Sequence, residues 1–82
     1  MHFLDRLAEY LELSWISELH DRAVTPAQAA GILELFFRER PPEGECMAAA
    51  EYVLGTGLPW RSGEAAVGAL VGCLLGRAQR MM

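Results

Sequence analysis

The chain has 82 residues, 52% of them hydrophobic, and a formal charge of −4, which is enough for one small domain spanning residues 1–82 and not for two. A core of that size only just stabilises a fold, so this much apolar material implies either a tight Ala- and Gly-rich interior or a surface offered to a partner, and the second is the expectation. Residues 1–51 hold ten of the eleven carboxylates and four Arg, residues 52–82 hold only Glu64 against Arg61, Arg77 and Arg80, and an acidic chain with no basic stripe argues against nucleic-acid binding.

Met1 to Leu13 reads as an amphipathic helix. Leu4, Leu7 and Leu11 form one stripe with Phe3 and Tyr10 beside it, and Asp5, Glu9 and Glu12 gather opposite,. Continuing that helix would bring Ile16 among the carboxylates and Glu18 into the leucine stripe. The phase therefore breaks, and Ser14 or Ser17 is a natural cap for a second short helix from Trp15 to about Arg22, with Trp15, Ile16 and Leu19 inward,.

Thr25-Pro26-Ala27-Gln28 is the clearest helix start, because Thr25 can cap, Pro26 needs no amide partner in the first turn and Gln28 completes a capping box,. The spacing predicts a helix to Arg38 or Glu39 with Ala29, Ala30, Leu33, Phe36 and Phe37 inward, and Leu35 on the polar side as an interface candidate,. Arg40-Pro41-Pro42 ends it. Glu43 to Leu54 is the next helix, with Cys46, Met47, Ala50, Val53 and Leu54 inward, Tyr52 turned outward, and Glu43 and Glu45 in the first turn where the helix dipole favours them,. Gly55-Thr56-Gly57 stops it. In the connection Leu58-Pro59-Trp60-Arg61, Trp60 either lids the core or anchors an interface,.

Ser62 caps the last helix, which carries twelve residues from Ala65 to Gly76 with no polar side chain but the thiol of Cys73,. Gly68, Gly72 and Gly76 recur every fourth residue with Ala65, Ala69 and Cys73 beside them, which collects small residues into one ridge,. Val67, Leu70, Val71, Leu74 and Leu75 fall on the other side, within about 140° of each other. The segment is shorter than the roughly 20 apolar residues that span a bilayer, so membrane insertion is not expected.

The residue types of a catalytic set occur at Ser17, His20 and Asp21, but neighbours on one short helix cannot surround a single substrate atom,. His2, His20, Cys46 and Cys73 have no zinc spacing, and Gly55-x-Gly57 lacks the third glycine, the lysine and the preceding strand of a phosphate loop,. No cofactor, metal or enzymatic activity is expected. Cys46 and Cys73 are far apart and each among apolar neighbours, as buried free thiols would be. Nothing at the amino terminus reads as a signal peptide, so the cytoplasm is the expected compartment.

The segment Thr25-Pro-Ala-Gln-Ala-Ala-Gly31-Ile-Leu33 resembles the first helix of helix-turn-helix regulators, in which a T-x-x-Q-A-A opening is frequent. The resemblance covers nine residues and implies that Glu43–Leu54 reads DNA. That helix carries Glu43, Glu45 and Glu51 and no Lys or Arg,.

The sequence thus predicts an all-α compact bundle of four main helices plus one short helix, organised around a central apolar Gly/Ala-rich C-terminal helix. The expected role is a non-enzymatic protein-interaction module, self-associating as a homodimer through Ala65, Gly68, Ala69, Gly72 and Gly76, with Leu35, Tyr52 and Trp60 as further contacts. An alternative is an acidic inhibitor of a nucleic-acid-handling complex that presents Asp5, Glu9 and Glu12 to a basic surface. Small size, no catalytic set and a coding bias against Lys suggest a bacterium or one of its mobile elements as the source.

Overall fold

Short-range chemistry starts and stops each helix. The computed structural model describes residues 2–57 and 60–80, and the regular elements among them are all helical. They are α1 (Phe3–Tyr10), a 3-10 helix (Ile16–His20), α2 (Pro26–Glu39), α3 (Glu43–Leu54) and α4 (Gly63–Arg80). Thr25 Oγ1 accepts from the Gln28 amide at 3.1 Å and Gln28 Oε1 accepts from the Thr25 amide at 3.0 Å, which closes the predicted capping box,. Ser62 Oγ accepts from the Ala65 amide at 3.2 Å and opens α4. Gly55 ends α3 with φ +79, a conformation that glycine adopts without steric cost,.

Packing is centred on α3 and α4, which make the most extensive contact. α2 leans on α4, and α1 and the 3-10 helix lean on α3. Small buried residues let the central pair come close: Ala49 and Ala50 on α3 and Ala66 on α4. A Cβ added to Gly63 would come 3.4 Å from the Cys46 side chain and the Glu43 Cα, in van der Waals contact, so the start of α4 lies directly against α3. Around this seam Phe3, Leu7, Leu19, Ile32, Val53, Val67, Leu70 and Leu74 are essentially fully buried. Each such side chain contributes about 1.5–3 kcal/mol of hydrophobic stabilisation.

Three sequence expectations shift. α1 ends at Tyr10, three residues early, because the Leu13 amide reaches back to the Ala8 carbonyl at 2.8 Å and the Glu12 amide to that of Glu9 at 3.1 Å. Those bonds make a Schellman turn, with Glu12 at the left-handed position where glycine is usual, φ 57,. The second short helix is a 3-10 turn whose amide ends are capped not by Ser14 or Ser17 but by Glu18, which accepts from the Ser14 and Trp15 amides at 2.8 and 3.1 Å. Trp15 precedes it in extended conformation and is 73% exposed rather than inward.

The third shift is the face of α2. Leu35, expected on the polar side, is buried together with Ala29, Ile32 and Phe36, while Phe37 is 46% exposed and Ala30 lies outside. Tyr10 explains the rotation. Its hydroxyl lies over Gly31, where an added Cβ would come within 1.7 Å, so α1 covers the flank of α2 that carries Gly31 and Leu35. Phe37 is left outside, edge-on to Phe36 and with the Arg40 guanidinium 5.3 Å from its ring centroid,. In the last connection, Leu58 and Pro59 lie outside the described residues.

The helix ends are tied together by side chains that reach across. Glu45 of α3 accepts from the Phe3 amide at the start of α1 at 2.9 Å. Arg77, near the end of α4, donates to the Leu19 and Arg22 carbonyls around the end of the 3-10 helix, the second at 3.2 Å, and to Val53 of α3 at 2.9 Å. Helix C-termini leave carbonyls without intrahelical donors, and one guanidinium serves two such ends. The Arg6 guanidinium joins α1 to Glu39 of α2, its Nε donating at 2.9 Å. That hydrogen bond is the main cause that holds the Glu39 carboxyl below its ordinary value,.

Arg77→Met is expected to cost about 2–3 kcal/mol, the scale of charged hydrogen bonds, in urea unfolding at unchanged m-value, with Arg77→Lys recovering only part because an ammonium cannot span the three carbonyls. Glu12→Gly should raise stability by about 1 kcal/mol in the same assay by relieving the left-handed backbone. The Glu39 pair gives an acid-side signature. A folded-state value lowered by Arg6 adds stability at neutral pH that is lost as pH falls through the folded value, which lies below the ordinary carboxylate range,. Glu39→Gln should therefore be less stable than the parent near neutrality, the difference closing in thermal melts as pH drops below that value.

Candidate functional site

The residues singled out in the sequence are not brought to one place. The largest group lies on α4, whose two sides have opposite fates. Val67, Leu70, Val71 and Leu74 are buried against the other helices. Gly68, Gly72 and Ala65 are exposed, Ala69 and Gly76 are half-buried beside them, and Cys73 and Leu75 are half-buried where the two sides meet, packed against the edge of the core. A Cβ built at Gly68, Gly72 or Gly76 meets nothing within 4 Å. The ridge is thus not covered by this chain's own described helices, and the close α3–α4 approach uses Gly63 and alanines instead.

This outer face has a definite form. Glu64, Gly68, Gly72, Gly76 and Arg80 succeed one another at intervals of four, so they follow one ridge of the helix surface,. The ridge is bare backbone at Gly68, Gly72 and Gly76. A helix loses about 0.5–1 kcal/mol for each interior glycine relative to alanine, and nothing inside the described fold requires these three.

Tyr52 is half-buried and stacks on the exposed His20 ring, with centroids 4.3 Å apart and planes tilted by 32°. With Ala48, Glu51 and Gly55 the two line an open cleft of about 430 Å³. Trp60 is half-buried against the core, in keeping with a lid over its end,. Leu35 belongs to the core and drops out as a surface contact.

Asp5, Glu9 and Glu12 do not form one helical face, since Glu12 lies beyond the end of α1. Asp5 accepts from the His2 amide at 3.2 Å, completing the N-terminal capping box, and Glu9 lies 3.4 Å from the Arg6 guanidinium. Ser17, His20 and Asp21 are all exposed, and among the described residues no group of three or more His, Cys, Asp and Glu could hold a metal ion. Cys46 is buried and Cys73 half-buried, both as free thiols. Burial, followed by Glu45 and Glu43, pushes the Cys46 thiol above its ordinary value, which disfavours the thiolate.

Two aromatics that the sequence reading turned inward, Trp15 and Phe37, are exposed. Trp15 is placed outside by the extended cap of the 3-10 helix, and no side-chain pattern announces that. Phe37 is placed outside by the rotation of α2, for which Gly31 was the available signal, because a glycine inside a helix marks close approach by a neighbour.

The chain matches no described protein family, no curated protein and no solved structure. The geometry alone therefore carries the functional argument.

Alanine at Gly68 or Gly72 has room in the fold and better helix propensity, so each substitution should raise the stability of the monomer by about 0.5–1 kcal/mol. Thermal unfolding at low protein concentration measures this; destabilisation would mean that something in the monomer does cover the ridge.

Proposed function

We propose that the protein is a small non-enzymatic protein–protein interaction module that self-associates through the outer face of α4. The observation that carries this reading is the set of three glycines on that face with open space above them. Glycines that weaken a helix and relieve no contact among the described residues are accounted for if a second backbone approaches there. Helix axes that pack at about 8–10 Å need small residues at the crossing to reach the short end of that range.

A second copy suits the face because the ridge complements itself. Glu64 and Arg80 stand equally far in sequence from Gly72, on either side of it. A two-fold axis through Gly72 would set the acidic first turn of one copy against the basic last turn of the other, with Gly68 opposite Gly76. Such an isologous contact closes as a dimer and leaves no free complementary surface. The antiparallel arrangement also opposes the two helix dipoles.

The other readings have less support. Asp5 and Glu9 already have partners within the chain, which weakens the acidic face as a lure for a basic surface. In the helix-turn-helix reading α3 would enter a DNA groove, but α3 is packed by α4, α1 and the 3-10 helix and carries no cation,. No helix among the described residues is long and apolar enough to cross a membrane.

Sedimentation over a concentration series tests the proposal together with Gly72→Leu. A Cβ at this position meets nothing within 4 Å among the described residues, so circular dichroism and cooperative unfolding should be retained while the dimer is lost. A parent chain that stays monomeric at millimolar concentration overturns the reading, as does a Gly72→Leu variant that folds and dimerises like the parent.

A further inference from the structure

We draw no further inference here: the strongest candidate, the open cleft at the end of α3 lined by His20, Ala48, Glu51, Tyr52 and Gly55, has no buried polar side chain among the described residues aimed into it, and nothing in the structure shows what would fill it.

Discussion

Close packing of α3 on α4 is the contact on which the rest of the molecule depends. It exists because Ala49, Ala50, Ala66 and Gly63 leave little side chain between the two backbones, and it turns Val53, Val67, Leu70 and Leu74 into a shared interior. α2 then completes the cover of α4, and α1 and the 3-10 helix complete that of α3. Arg77 and Glu45 connect the ends of these elements, so the termini that would otherwise leave polar backbone groups unpaired are joined to a neighbour instead,.

That arrangement divides α4 lengthwise. A helix apolar on all sides is expected to be buried on all sides, and here the bulky side is buried while the small-residue side is not. The helix has no charged side chain between Glu64 and Arg77 to solvate its outer face. In an isolated monomer, alanine or a polar residue would serve better than glycine at positions 68, 72 and 76. The contact proposed outside the monomer would resolve the conflict between local preference and observed sequence, and such conflicts are where function is expected to reside.

Elements fixed by interactions within four residues were legible in the sequence. The capping box at Thr25, the cap at Ser62, the glycine stop at Gly55, the bounds of α2 and α3 and the start of α4 all follow from local chemistry, as does the bulky side of α4. What was not legible depends on contacts distant along the chain. Leu35 and Phe37 exchanged places because Tyr10 settles on Gly31, and Trp15 was exposed because Glu18 folds back onto the amides before it. The roles of Arg77 and Glu45 needed carbonyls and amides from other helices, which have no signature in a single sequence. For the candidate site, the sequence located the glycine ridge but could not say which side of the fold it faces; the open space above Gly68, Gly72 and Gly76 answers that.

Glycine amide signals are well separated in proton–nitrogen correlation spectra, so a dilution series from millimolar to micromolar protein tests the central claim most directly. If a second copy covers the outer face of α4, the signals of Gly68, Gly72 and Gly76 move with concentration while those of Gly31, Gly44 and Gly55 stay in place. Unmoved ridge glycines throughout the series, or concentration dependence confined to another surface, would contradict the account.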